Sequence, residues 1–212
     1  MRKNIIYSLL LVVAALFAGC ESRLDIEKHG NMGGQDDFYQ TDEQTEQAVA
    51  SMYSSLKGLY YNWFFTKNVL SDDVWCGGGQ RGDNTSLEQL NEYTYGTDNG
   101  MIQGVFSGLY GLIYQSNLVI EKVADDTPVK KRAIAEAKFF RAWANFELVT
   151  LWGTAPLVDH LLEPGEYRQG NSTPEALWAA VESDLNDAIS MNALPSKKNK
   201  DDQETGMRVT QE

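Results

Sequence analysis

From residue 41 onward the apolar positions recur at helical rather than strand spacing. Thr41-Asp42-Glu43-Gln44 fits a capping box, with Thr41 as N-cap and Gln44 reaching back to its backbone. Ala48, Met52 and Leu56 then return every four residues, with Val49 and Tyr53 beside them, marking one helix face that ends near Gly58. Residues 59–70, LYYNWFFTKNVL, are strongly aromatic and predict a second, short helix. Ile102, Val105, Phe106, Leu109, Leu112, Ile113 and Leu118 predict a helix over 101–123. Thr127-Pro128 offers an N-cap followed by proline at the first helical position, and that helix runs to about Trp152, stopping at Gly153. Thr173-Pro174 repeats the same start. Leu177, Val181, Leu185, Ala188 and Ile189 form the stripe of a last helix, which closes before Pro195. Residues 196–212 are polar and charged. No run alternates with period two, so the expected fold class is all-α with long irregular loops.

Residues 71–100 break the pattern. They hold Gly77-Gly78-Gly79, Gly82, Gly96 and Gly100 together with Asp72, Asp73, Asp83 and Asp98. Consecutive glycines oppose regular structure, so this stretch reads as a long surface loop with a short helix near 86–93. A loop of such length usually binds something or moves.

The N-terminus carries a different signal. Arg2 and Lys3 precede an apolar run over 5–18, too short for a comfortable membrane span and suited to the core of a signal peptide. It ends in Phe17-Ala18-Gly19-Cys20, which resembles the lipobox of bacterial lipoproteins, with Phe17 in place of the usual Leu. That resemblance implies cleavage before Cys20 and acylation of its sulfur, and two or three acyl chains give the stable anchoring that one does not. The expected organisation is a lipoprotein signal peptide over 1–19, an acylated tether and lead-in over 20–40, and a helical domain over 41–212. No later segment has enough consecutive apolar residues to span a membrane.

The formal net charge is −12, and loss of Arg2 and Lys3 with the leader moves it to −14. Such a chain is poorly suited to nucleic acid, whose phosphates require cationic neutralisation. Cys20 and Cys76 are the only cysteines, too few for a disulfide framework or a thiolate zinc site. His29 and His160 lie far apart and neither sits in an HExxH pattern. The acidic pairs Asp36-Asp37 and Asp72-Asp73 lack EF-hand spacing and read as solvated loop charge. No carboxylate pair is singled out as acid and nucleophile. Neither a metal nor a cofactor is expected, and the chain does not read as an enzyme.

Five blocks in order resemble the SusD/RagB nutrient-uptake outer-membrane lipoproteins of Bacteroidetes. Leu24-Asp25-Ile26-Glu27 follows the lipobox, and Tyr39-Gln40-Thr41 with Ala48, Val49 and Tyr53 is similar to the family's first helix. Phe106, Tyr110, Ile113 and Asn117 fit an F-x3-Y-x2-I-x3-N signature. Glu136-Ala137-Lys138-Phe139-Phe140-Arg141-Ala142, then Gly153-Thr154-Ala155-Pro156-Leu157, resembles the family's most recognisable block. Thr173-Pro174-Glu175, Asp184 to Ala188, and Leu194-Pro195 resemble the helix after it. Ala142 and Phe146 also match the A-x3-F element of tetratricopeptide repeats.

The resemblance implies tetratricopeptide-like helices and a lipoprotein of the cell outer membrane, facing the cell surface. It further implies capture of glycans or other nutrients as a lid on a SusC-like TonB-dependent transporter barrel, work that needs no catalytic residue. Family members are commonly much longer, so the chain is expected to be an N-terminal portion, incomplete at its C-terminus. Two other readings stand beside this one: a helical-repeat module that binds protein only, and a non-functional truncated fragment.

A glycan site needs aromatic faces for sugar C–H surfaces and planar polar groups for hydroxyls. Trp75 is the leading candidate for the aromatic face, since it lies between Asp72-Asp73 and the glycine run rather than on a helical stripe. Arg81, Asn84, Tyr93, Tyr95 and Asn99 supply polar partners in the same segment. Trp75 has two placements open to it, packed under its own loop or free to stack. Trp143, Trp152, Trp178 and most of the aromatic cluster over 60–65 are assigned to the core. Glu136 and Arg141 read as structural ion-pair residues between helices, and Cys76 as unpaired. Arg81-Gly82-Asp83 carries no functional weight.

Overall fold

Residues 38–197 and 207–211 are described by the computed structural model. The leader, Cys20 and the tether up to residue 37 lie outside the described residues. Five α-helices fall within them: α1 (Asp42–Val69), α2 (Thr85–Asn91), α3 (Gly100–Lys122), α4 (Pro128–Trp152) and α5 (Pro174–Ser190). Among the described residues there is no strand, only an isolated bridge between Ala155 and Ser172. The all-α expectation therefore holds.

The start of α1 follows from its sequence. Thr41 Oγ1 accepts the Gln44 amide at 3.2 Å, and Gln44 Oε1 accepts the Thr41 amide at 3.0 Å. Its end corrects the expectation of two helices, because α1 continues unbroken through Gly58. Glycine in a helix interior costs about 1 kcal/mol relative to alanine. Burial of Leu59 and Val69 beyond it contributes roughly 1.5–3 kcal/mol each, so packing outweighs propensity.

Pairwise contacts give the direction of each helix. Ser116 on α3 meets Met52 on α1, while Gly108 meets Leu59, so α1 and α3 run antiparallel. Asn117 meets Arg141 and Phe106 meets Trp152, so α3 and α4 are antiparallel too. Lys138 pairs with Asp187, Arg141 with Asp184, and Phe146 with Trp178, which makes α5 antiparallel to α4. Gly104 and Gly108 let α1 and α3 approach closely: a Cβ at Gly108 would sit 2.7 Å from Leu59 Cδ1, and one at Gly104 would collide with Asn62.

The main core lies among α1, α3, α4 and α5, built on Met52, Val105, Leu109, Ile113, Phe140, Leu148 and Leu177. Tyr53 and Phe140 meet edge to face at 4.8 Å. Tyr39 is buried in this core, so the folded unit begins inside the expected lead-in. Small side chains on α4 (Ala133, Ala137, Ala144) allow neighbours to close in on several sides. Buried charges on the same helix are paired, as the sequence suggests for Glu136 and Arg141. Arg132 and Arg208 donate to Glu136, and Lys67 of α1 bonds Glu147 at 3.0 Å.

Three expectations about burial are corrected. On α5 the buried face is Leu177, Val181, Asp184 and Ala188, whereas Leu185 is half-buried and Ile189 exposed. The helix is rotated so that Asp184 reaches Arg141. In the cluster over 60–65, Tyr60, Tyr61 and Phe64 are exposed. Trp178 is likewise exposed, and Trp143 and Trp152 are half-buried rather than core. Beyond these corrections, residues 207–211 pack back on the helices. Val209 donates its amide to Tyr53 Oη at 2.8 Å, and Arg208 bridges Glu46 and Glu136.

Candidate functional site

The loop between α1 and α3 is fastened rather than loose. Leu87 and Leu90 of α2 are buried against Val69 and Met101, a small second core that closes the end of the bundle. From there α2 holds the glycine run. Asn91 accepts the Cys76 amide and donates to the Val74 carbonyl, both at 3.2 Å. Asp83 Oδ2 accepts the amides of Gly79 at 2.6 Å and Gln80 at 3.0 Å. Glu88 accepts the amide of Gly82 at 2.7 Å, where φ is +93°, a conformation that glycine adopts without strain. Carboxylates thus take up loop amides that the broken secondary structure leaves without partners.

Trp75 stands out from this scaffold. It is 79% exposed, the packed-under placement being the one not adopted. Beside it, Gly78, Arg81, Glu88, Asn91 and Glu92 line a cleft of about 290 Å³. Arg81 Nη2 lies 2.7 Å from a Glu92 carboxylate oxygen, with the guanidinium itself exposed. The cleft therefore presents an indole face next to fixed planar donors and acceptors. Burial, reinforced by Glu88, pushes the Cys76 thiol up, so it stays protonated near neutrality and is a poor nucleophile. Among the described residues no group of three His, Cys, Asp or Glu side chains could hold a metal ion.

The other candidates divide. Tyr93 and Tyr95 are exposed. Tyr93 takes φ +56° at the position after the α2 C-cap, where glycine is usual. The Tyr93 amide bonds the Leu90 carbonyl, and the Thr94 amide bonds the Gln89 carbonyl, a complete Schellman arrangement. Its hydroxyl donates to the Leu70 carbonyl at 2.7 Å, tying α2 to the end of α1.

Asn99 is a correction, and Asn84 has a structural task as well. Asn84 caps α2, its side chain accepting the Leu87 amide at 3.2 Å. Asn99 is only 2% exposed and caps α3 by accepting the Met101 amide at 3.1 Å. Its amide group donates to the Ser86 carbonyl and Gln89 Oε1, leaving nothing for a ligand. Asn99 therefore belongs to the support of the site, and Asn84 supports it from an exposed position. Glu88, Asn91 and Glu92 were not foreseen, and their only signal was a polar face on a short helix beside a glycine run.

A family model described as SusD-like, "starch-binding associating with outer membrane", matches residues 28–211. A SusD-like protein of Bacteroides ovatus is 31% identical over 72% of this chain and 29% of its own length. A SusD-like protein of Formosa agariphila is 27% identical over 73% of this chain and 30% of its own. The chain thus spans about a third of the length of the curated relatives it matches. A solved laminarin-binding SusD-like protein superposes with a TM-score of 0.71 at 27% identity, covering 82% of this chain and 38% of that one. Surface glycan-binding protein A from Bacteroides uniformis shares the fold, with a TM-score of 0.67 at 23% identity over 81% of this chain and 39% of its own.

Proposed function

The chain belongs to the SusD-like family, and on that premise we propose that it captures a glycan at the outer membrane and passes it to a TonB-dependent transporter barrel. In this reading a lipid on Cys20 anchors the protein at the cell surface, the helices are the rigid scaffold, and the loop fastened by α2 takes the ligand. The transporter system supplies the energy of import, so the protein itself needs no catalytic group. The family description points to starch, and one similar structure is that of a laminarin-binding protein, so glucans are the first ligands to test.

One observation carries the reading: an indole left 79% exposed beside a cleft with an oriented Arg81–Glu92 pair. Leaving a tryptophan in water forgoes its burial, and its rigid flat face suits a sugar ring. Titration calorimetry of the full chain against starch and laminarin tests it. Trp75→Ala is expected to lose on the order of 2 kcal/mol, near thirtyfold in affinity, with the melting midpoint unchanged. Asn99→Ala is expected to lower the midpoint instead, because it removes a buried cap. Undiminished binding by Trp75→Ala would remove the stacking role.

A further inference from the structure

The segment that carries Tyr93 and Tyr95 away from the first cleft ends at a second one. Thr97, Ile102, Gln103, Phe106, Ser107 and Trp152 line a recess of about 380 Å³ where the start of α3 meets the end of α4. Aromatic rings form one wall. Phe106 and Trp152 meet edge to face with centroids 5.3 Å apart, and Tyr110 lies 4.8 Å from Phe106. Tyr110 is itself fixed, its hydroxyl donating to the Pro156 carbonyl at 2.6 Å. The other lining groups are neutral: the exposed side chains of Thr97, Gln103 and Ser107. Gln103 Nε2 donates to the Thr97 carbonyl at 3.1 Å, which sets the amide and leaves its oxygen as an acceptor.

This lining selects a class of occupant. An anion or a charged peptide would find no countercharge among the described residues, since none of those that line the recess is ionisable. A sugar ring presents an apolar C–H face to aromatic rings while its hydroxyls exchange hydrogen bonds with neutral amide and hydroxyl groups around them. The two recesses are also near one another along the chain. Glu92 lines the first and Thr97 the second, and the five residue-to-residue steps between them span at most about 18 Å. Exposed Tyr95 lies on that stretch.

We infer that the Phe106–Trp152 recess is a second sugar subsite for the glycan held at Trp75, so that the protein discriminates by chain length. The inference rests on the glycan-binding reading of the loop. A ligand long enough to reach both recesses makes its second contact intramolecularly and binds more tightly than a short one.

Ser107→Leu tests it, since this exposed α3 position accepts leucine without helix penalty while the larger side chain obstructs the recess. Calorimetry of the full chain uses maltose and maltohexaose, and laminaribiose and laminarihexaose. Ser107→Leu is expected to weaken hexasaccharide binding by about tenfold and to leave disaccharide binding unchanged. The Trp152 indole resonance, assigned by its loss in Trp152→Phe, is expected to shift with hexasaccharide and not with disaccharide. If Ser107→Leu leaves hexasaccharide affinity intact while Trp75→Ala reduces it, the second subsite is overturned and the loop site stands. Equal weakening of long and short ligands also overturns it. If the wild-type chain binds none of these sugars, the loop reading fails, and the second subsite with it.

Discussion

Arg141 of α4 and Asp184 of α5 form a bidentate ion pair between helices, with Nε and Nη2 of the guanidinium 2.8 and 2.6 Å from the two carboxylate oxygens. Nη1 of the same group reaches Asn117 Oδ1 at 2.8 Å and also donates to the Asp159 carbonyl. One planar side chain therefore joins α3, α4, α5 and the segment after α4. Arg141→Ala is expected to destabilise the protein by about 3–5 kcal/mol, since it strands a buried carboxylate. Arg141→Met combined with Asp184→Leu is expected to recover much of that loss. Urea unfolding of the two singles and the double measures both, and additive losses would show that the pair does not act as a unit.

The glycines of α1 and α3 respond oppositely to one substitution. A Cβ at Gly58 meets nothing within 4 Å, so Gly58→Ala is expected to stabilise by about 0.5–1 kcal/mol. At Gly108 the added methyl meets buried Leu59 Cδ1 at 2.7 Å. Overpacking of roughly 1–3 kcal/mol there exceeds the gain in helix propensity, so Gly108→Ala is expected to destabilise. Thermal unfolding distinguishes the two signs.

His160 lies between two carboxylates, Nδ1 2.8 Å from Asp159 and Nε2 3.2 Å from Glu166. Hydrogen bonds to Asp159 and then Glu166 raise its pKa. The bond to His160 heads the causes that hold Asp159 low, and the Glu163 backbone bond followed by His160 holds Glu166 low. A raised imidazole contributes stability below its unfolded pKa and loses it as pH rises through the folded value. The lowered carboxylates contribute above their unfolded values and lose it as pH falls. The clamp is therefore complete between about pH 4.5 and 6.5. Proton NMR is expected to place the His160 midpoint above that of a free imidazole, and Glu166→Gln to bring it down. An unshifted midpoint would dissolve the clamp.

Lipid attachment at Cys20 is checked in a bacterium that processes lipoproteins. Labelled palmitate is expected to mark the wild type and not Cys20→Ser. Equal labelling of both would remove the anchor from the proposed function.

The helices were legible because their signals are local. Thr41, Thr127 and Thr173 each cap the helix predicted for them, and Pro128 and Pro174 open two of them. Continuation through Gly58 was not legible, because the burial that overrides a glycine lies on other elements. Asp184 was missed as a buried position because a hydrophobic stripe counts only apolar residues, whereas this carboxylate is buried through a partner 43 residues away. In the loop, composition pointed to the segment but could not separate supports from contacts. Asn99 and Trp75 sit in the same polar, glycine-rich stretch, and only the geometry shows one turned into helix caps and the other left in water.

The strap at residues 207–211 also has a temporal meaning. Arg208 closes on Glu46 across 162 positions and on Glu136 across 72. During synthesis the ribosome must deliver residue 208 before either carboxylate meets this arginine. Until then the fully buried place of Glu136 on α4 has Arg132 as its compensating cation. Long-range closures of this kind carry the largest loop entropy and come late in folding. The helical layer thus gains this tie only once residues 207–211 have arrived, and until then rests on its own core contacts.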